Sequence, residues 1–193
     1  LLLSVVRGVA TIADALRGAG VETGQEVGDY LVDALFATIT NANFDDQAIL
    51  NKVDNGVRIK QTLSSLAKEK NVELPDFQEV KWGGEKAGYE AEGDREGVLR
   101  NADEDLRSLK ELTVLGLKGM AAYYEHASRL NERNGEIIAF MEKALAIVSD
   151  PSAGMDTLLS TVLETGRFGV DAMALLDKAN TQAYGNPELT KVN

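Results

Sequence analysis

The chain contains no cysteine, and proline, histidine and aromatic residues are scarce. Its 193 residues include 3 Pro, 1 His and 1 Trp, and aromatic residues make up 6% of the total. Without cysteine the chain can form no disulfide and can supply no thiolate to a zinc ion or an iron–sulfur cluster. A reducing compartment is compatible with this composition, and we expect a cytoplasmic location.

Positive charge and long hydrophobic runs are also lacking. The chain contains 20 Lys and Arg residues and 31 Asp and Glu residues, which gives a net charge of −11. Nucleic-acid surfaces need clustered Lys and Arg, so a nucleic-acid partner is not expected. The apolar run at residues 1–6 stops at Arg7, which is too short for a membrane span, and it lacks the basic start of a signal peptide. We therefore expect no membrane partner.

The beginning of the chain indicates a piece of a longer polypeptide. Leu1 stands where an initiator Met is expected, and a helical apolar pattern begins at once without a capping residue. Whether such a piece is proteolytic, excised or redesigned stays open. The 44% of hydrophobic residues are sufficient for a globular core.

A long amphipathic helix is predicted around residues 103–130. Apolar residues and one glycine recur there at steps of three or four, which places them on one helical face. The stripe consists of Leu106, Leu109, Leu112, Gly116, Met120, Tyr123, Ala127 and Leu130. A glycine inside a helix costs about 1 kcal/mol relative to Ala. We therefore expect another helix to approach closely at Gly116 and Gly119.

The same periodicity predicts five further long helices. They cover about residues 1–17, 27–41, 46–70, 137–149 and 157–180. Asp45 and Asp103 stand at expected helix starts, Asp156 is a candidate cap for the last helix, and Pro151 is expected to end the helix before it. The last helix has a predicted core stripe of Leu159, Val162, Leu163, Gly166, Val170, Met173 and Leu176.

Residues 73–102 lose this periodicity. Pro75 and several glycines interrupt an acidic stretch that contains the single tryptophan. We expect an irregular linker that packs on the helices through Phe77, Trp82 and Tyr89 rather than a recognition site.

The pattern predicts an all-α fold of two consecutive three-helix bundles. The first covers residues 1–72, the second covers 103–182, the linker joins them, and residues 183–193 form a C-terminal exit segment. Arg7-Gly8, Asp14 and Ala34-Leu35 recur as Lys118-Gly119, Glu125 and Ala144-Leu145 at an offset that changes by one position. This agreement favours an internal duplication.

Candidate chemistry is sparse. His126 is the single histidine, so the two Glu-x-x-His motifs of a di-iron bundle cannot form. The acidic clusters lie at helix starts, where capping explains them. No Gly-rich turn joins a strand to a helix, and nothing in the sequence marks Lys118 as a nucleophile. We assign no catalytic, cofactor-binding or metal-binding residue.

Three stretches nevertheless resemble one family, the hybrid-cluster or prismane proteins, also called hydroxylamine reductases. They are TITNANFD at 38–45, DEDLRSL with GLKGMAAY between 103 and 123, and MALLDKANT with YGNP between 173 and 187. The resemblance covers nearly the whole chain. Carbon monoxide dehydrogenases share a related architecture, but the Asn-Phe-Asp and Tyr-Gly-Asn-Pro stretches favour the hydroxylamine reductase branch.

The resemblance implies an N-terminal helical region of two three-helix bundles, followed by two α/β domains outside this chain. It further implies an iron–sulfur cluster held by cysteines just upstream, and a hybrid iron–sulfur–oxygen cluster ligated in the later domains. Asn186 and Thr165 depart from the family pattern, which has His and Cys there. No ligand role is therefore carried over to either residue.

Two hypotheses follow. In the first, the chain is the non-catalytic scaffold of an enzyme that reduces hydroxylamine to ammonia, or nitric oxide to nitrous oxide, with electrons from a redox partner. Its partners would then be the cluster-binding domains of the parent chain. In the second, the chain is an autonomous helical interaction module without enzymatic activity.

Overall fold

A computed structural model describes residues 1–41 and 44–188, and in these residues the chain is all-α with no strand. The prediction of an all-α fold is confirmed. None of the helices in the described ranges has the length and apolarity needed to cross a membrane. The α-helices are α1 Leu2–Gly18, α2 Gln25–Thr40, α3 Asp46–Glu69, α4 Gln78–Lys81, α5 Tyr89–Arg95, α6 Glu104–Arg129, α7 Gly135–Ser149 and α8 Met155–Tyr184.

The helix starts and stops follow local sequence signals. The Asp45 side chain caps α3 by accepting a hydrogen bond from the Ala48 amide at 2.9 Å, and Asp103 caps α6 in the same way. α7 ends at Ser149, two residues before Pro151, as predicted. Asn43, expected in the turn before α3, lies outside the described residues.

Three helices end in the same left-handed turn. Gly20, Asn71 and Asn131 have φ values of 74°, 55° and 65° after α1, α3 and α6. In each case the next amide bonds back to a carbonyl five residues earlier, for example Val21 to Leu16 at 2.9 Å. Glycine and asparagine tolerate this conformation, which satisfies the last carbonyls of the helix.

Two details of α8 differ from the prediction. The helix begins one residue before Asp156, with Gly154 at the N-cap and no side-chain cap bond, so Asp156 lies in the first turn instead of capping it. The acid there still interacts favourably with the helix dipole. The helix continues past Asn180 to Tyr184 and ends at Gly185, which has a φ of 84°. The exit segment is described only as far as residue 188.

α1 lies at the centre of the structure. From Leu2 to Leu16 none of its side chains is exposed, and it packs against α2, α3, α4, α5 and α7. Small residues allow this enclosure. A Cβ atom on Gly8 would lie within 3 Å of the Glu79 carbonyl group of α4, so only glycine permits the observed approach of the linker.

The two sets of long helices share one core. α1 packs on α7 and α2 packs on α6, while α6 and α8 make the most extensive contact between any two helices in the described part. Buried residues of both sets form a single hydrophobic cluster. The duplication suggested by the recurring residues stays a prediction.

The stretch expected to be an irregular linker also contains helical segments, namely α4, α5 and 3-10 turns at Lys86–Gly88 and Val98–Arg100. α4 and α5 span only four and seven residues, which is too short for a helical period to be recognised. Trp82 is buried and meets the Tyr89 ring edge-on, with 5.8 Å between ring centres. Tyr89 is half-buried against the core, and Phe77 is also half-buried but lies outside that cluster.

The predicted core stripe of α8 is wrong. None of its seven members is buried, and the helix instead buries Leu158, Thr161, Thr165, Ala172, Leu175 and Ala179. The stripe of α6 is only partly right, because Met120 and Ala127 are buried while Leu112 and Tyr123 are exposed. α6 and α8 thus bury Leu117 and Leu158 together with several small residues, and leave other large apolar side chains such as Leu163 exposed.

The two glycines of α6 differ in the space around them. A Cβ atom on Gly116 would lie 2.5 Å from Cγ2 of Thr165 in α8, whereas nothing lies within 4 Å of a Cβ atom on Gly119. The predicted close approach is therefore confirmed at Gly116 and wrong at Gly119 for the described residues.

This difference gives a matched pair of substitutions. Gly116→Ala should lower the free energy of unfolding by about 1–2 kcal/mol, because overpacking outweighs the gain in helix propensity. Thr165 cannot easily turn away, since its hydroxyl donates to the Thr161 carbonyl at 2.7 Å. Gly119→Ala should raise the same free energy by about 0.5–1 kcal/mol. Urea unfolding of the 193-residue chain measures both, and equal effects of the two substitutions would contradict the packing.

Candidate functional site

The residues weighed for chemistry in the sequence do not assemble into a site. His126 is exposed and meets the Phe36 ring edge-on, with 5.7 Å between ring centres. Lys118 is half-buried on α6. The described part of the chain brings no three His, Asp or Glu side chains into a group that could hold a metal ion. The two positions that depart from the family pattern are separated as well, since Thr165 is buried on α8 and Asn186 is exposed beyond it.

A buried ionic cluster surrounds Arg7 of α1. Its guanidinium bonds to Glu96 Oε2 at 2.8 Å, lies 3.4 Å from Glu79 Oε1, and donates to Ser149 Oγ at 3.0 Å and to the Val148 carbonyl at 3.1 Å. The exposed fraction of the Arg7 side chain is 15%, and those of Glu79 and Glu96 are 10% and 9%. One cation therefore ties α1 to the linker and to α7 at once.

A polar cavity of about 460 Å³ borders this cluster. Its wall carries both signs of charge, with Arg7, Arg107 and Lys110 facing Glu79 and Glu96. Burial, and then the nearby Arg7 charge, lowers the pKa of Lys110, whose Nζ donates to the Asp150 carbonyl at 2.9 Å. Among the described residues, Glu96 Oε1 is buried and has no hydrogen-bond partner. Arg7 pairs with both glutamates, and Arg107, like Lys110, donates a hydrogen bond to a backbone carbonyl.

Lys60 of α3 is the second buried cation. Its ammonium group donates hydrogen bonds to the carbonyls of Glu79 and Trp82, the latter at 2.8 Å. Burial lowers the pKa of Lys60 to about 8, although nearby glutamates oppose the shift. This side chain fastens the linker to α3.

A third buried charge links α1 to α7. Arg17 Nε donates to Glu142 Oε2 at 2.7 Å, and the Glu142 side chain is fully buried. Burial raises the pKa of Glu142, and the Arg17 hydrogen bond opposes that rise. Burial also raises the pKa of Asp14, and the positive charges of Lys143 and Arg17 oppose this rise.

Sequence reasoning missed these three ionic contacts. A signal was present, because Arg7 interrupts the apolar pattern of α1 and Lys60 follows the buried Ile59. A charge on an apolar helical face needs a partner. The partners could not be named, since the residues that pair with Arg7 lie 72 to 142 positions away. All three contacts join helices, and none forms an arrangement for acid–base or nucleophilic catalysis.

The chain was also compared with known proteins. It matches the Prismane/CO dehydrogenase family over residues 1–193. The chain belongs to this family. The resemblance seen in the three sequence stretches is thereby confirmed.

Several curated relatives bear the name hydroxylamine reductase. Those from Porphyromonas gingivalis and Bacteroides fragilis are each 48% identical over the whole of this chain, which corresponds to 35% of the relative. The one from Clostridium tetani is 41% identical over the whole chain and 38% of the relative. The chain thus spans about a third of the length of the relatives it matches, and their name agrees with the branch that the motifs favoured.

Membership of the prismane family implies iron–sulfur clusters in the full-length proteins. The residues of this chain do not fit such a cluster. The chain has no cysteine, and its described residues form no group of His, Asp and Glu side chains with the composition of a metal site. Any cluster of the parent therefore needs ligands from other parts of the polypeptide.

The Arg7 cluster yields a prediction about stability. Arg7→Met should lower the free energy of unfolding by about 3–5 kcal/mol, because it leaves two buried carboxylates unpaired. Adding Glu96→Gln should restore part of this loss. Lys143→Met serves as a control, since its partner Glu164 is 3.6 Å away and both side chains are well exposed, so its effect should stay below about 1 kcal/mol. Chemical denaturation measures all four proteins, and a loss for Arg7→Met as small as the control would refute the cluster's role.

Lys60 yields a prediction about pH. Its ordinary pKa is 10.5 and its folded pKa is about 8, so between these values the unfolded chain binds a proton that the folded chain has released. The free energy of unfolding should therefore rise with pH across this window, by up to about 1.4 kcal/mol per pH unit. Lys60→Met should lack this increment while keeping every other titrating group. Urea unfolding of both proteins from pH 7.5 to 10.5 tests the difference, and parallel pH profiles would show that burial does not lower the pKa of Lys60.

Proposed function

We propose that the chain is a structural domain of a larger hydroxylamine reductase and carries none of the reacting groups itself. The observation that supports this best is the alignment of the whole chain with about a third of hydroxylamine reductases at 48% identity, combined with its lack of cysteine. A family whose chemistry depends on iron–sulfur clusters needs thiolate ligands, which this third of the protein cannot provide.

The proposed reaction of the parent consumes two electrons and two protons. Hydroxylamine, NH2OH, would lose its N–O bond and leave as ammonia and water, with the electrons arriving from a redox partner. Reduction of nitric oxide to nitrous oxide is a further candidate reaction. The clusters and the substrate pocket would lie in the cluster-binding domains of the parent, and a cytoplasmic location belongs to the same proposal.

The contribution of this chain would be a rigid cover for those domains. Buried ionic contacts at Arg7, Lys60 and Arg17 join the linker and α7 to the first helices, which restrains their relative movement. A rigid protein surface excludes water and fixes neighbouring groups, which is how a protein serves a cofactor that it does not ligate. We divide this unit as the sequence suggests, into bundles at 1–72 and 103–182, a linker at 73–102 and an exit segment at 183–193.

Expression of the complete parent reading frame beside the 193-residue chain tests the proposal. Both proteins are purified without oxygen and given the same treatment with iron and sulfide. We expect the full-length protein to bind iron and to oxidise a reduced viologen dye only when hydroxylamine is present, and we expect the 193-residue chain to do neither. Stoichiometric iron or reductase activity in the short chain would refute the structural role. A full-length protein that holds iron and leaves hydroxylamine unchanged would refute the reaction.

A further inference from the structure

The outer side of α8 carries a row of exposed apolar side chains. Leu159, Leu163, Val170 and Met173 recur at helical spacing along one side of the helix, and none of them is buried. Exposed fractions are 69% for Leu163, 59% for Val170 and 45% for Met173. Exposed apolar rows of this length are uncommon on soluble proteins, and larger patches mark interaction surfaces.

α6 extends this surface. Leu112 and Tyr123 are 53% and 43% exposed, and both line a groove of about 290 Å³ together with Met173. We call these two residues of α6 and the four of α8 the α6–α8 face. None of the residues that line the groove is charged, although 26% of the chain is charged.

Glycines form the floor of the groove. At Gly119, Gly166 and Gly169 nothing in the described part of the chain lies within 4 Å of an added Cβ atom. Each glycine costs about 1 kcal/mol relative to Ala in a helix interior. No contact among the described residues explains why glycine stands at these positions instead of alanine. A neighbouring chain that approaches α6 and α8 closely would explain it, because a Cβ atom would stand in its way.

We propose that the α6–α8 face is covered in the parent protein by the part of the same polypeptide that lies outside this chain. This inference rests on the proposed function, in which the chain is one domain of a larger reductase. About two thirds of the length of the relatives is not matched by this chain. A parent of similar length would therefore contain enough polypeptide to cover the face. α8 also carries the row itself up to Met173 and ends at Tyr184, so the residues that follow α8 leave the helix about three turns beyond the end of the row.

Electrostatics favours this occupant over a second copy of the chain. The net charge is −11, and a charge of that size keeps copies of a protein apart. A domain on the same polypeptide also has an effective concentration in the millimolar range when the connection is short. Apolar contact within one chain therefore needs less intrinsic affinity than contact between two equally charged chains.

Footprinting of the purified full-length protein with hydroxyl radicals tests the inference without any substitution. We expect Leu163 and Met173 to react at least tenfold more slowly in the full-length protein than in the 193-residue chain. Leu99, which is 82% exposed and lies in the linker, serves as the reference and should react at similar rates in both. Equal reactivity of Leu163 and Met173 in the two proteins would overturn the inference.

A pair of substitutions gives a second test in the full-length protein. Leu163→Lys combined with Val170→Lys should place two charges in the apolar contact, while Leu99→Lys places one at an exposed position elsewhere. We expect the double variant to increase cleavage by a protease between the domains at least fivefold, and Leu99→Lys to leave it unchanged. Increases of equal size, or none in either protein, would overturn the assignment of this face.

The footprinting experiment also separates the two occupants. Protection of Leu163 and Met173 that disappears on dilution would show that a second copy covers the face, and would overturn the inference as well.

These outcomes are separate from those of the proposed function. A full-length protein that reduces hydroxylamine but leaves the face reactive contradicts only the inference about the face. A full-length protein that protects the face but does not reduce hydroxylamine contradicts only the reaction.

Discussion

Burial of α1 is the constraint on which the rest of the structure depends. No side chain between Leu2 and Leu16 is exposed, so other helices must cover this helix on every side. A single three-helix bundle would leave part of it open. The cover is completed by α7 from the second set of helices and by the short helices of the linker, which is why the two sets form one core.

Because α1 is enclosed by other helices, a charged side chain on it needs partners that are also buried. Arg7 lies between α7 and the linker, and an unpaired charge there would be strongly destabilising. Its bonds to Glu79, Glu96 and Ser149 meet this requirement. Lys60 plays the corresponding part between α3 and the linker. The stretch that looks least regular in the sequence is therefore held to α1 and α3 by charged side chains.

The separation between structure and chemistry has a consistent physical basis. Arg7 and Arg17 pair with carboxylates of other elements, Lys60 bonds to carbonyls of the linker, and Asp45 and Asp103 cap helices. Polar side chains used in this way are not free to bind a metal or a substrate. The groove between α6 and α8, whose lining residues carry no charge, is instead suited to contact with protein. Under the proposed function, this third of the length would supply rigidity to an iron–sulfur enzyme and the remainder would supply the reacting groups.

The sequence by itself determined the local features. Helical periodicity placed the long helices, Asp45 and Asp103 fixed two starts, Pro151 fixed a stop, and three motif stretches identified the family. These signals act over a few residues, so they survive in any tertiary context. The short helices α4 and α5 were hidden because packing against α1, and not intrinsic propensity, stabilises them.

Only the tertiary structure decided which side of each helix is buried and which distant charges meet. α8 has apolar residues on two sides, and its periodicity cannot rank them. The small residues Thr161, Thr165 and Ala172 face inward because Gly116 lets α6 and α8 approach closely, which leaves Leu163 and Val170 outside. Arg7 likewise finds its partners only once the linker has folded over α1. Both outcomes depend on contacts between residues far apart in the chain, and hydrophobic spacing carries no information about those contacts.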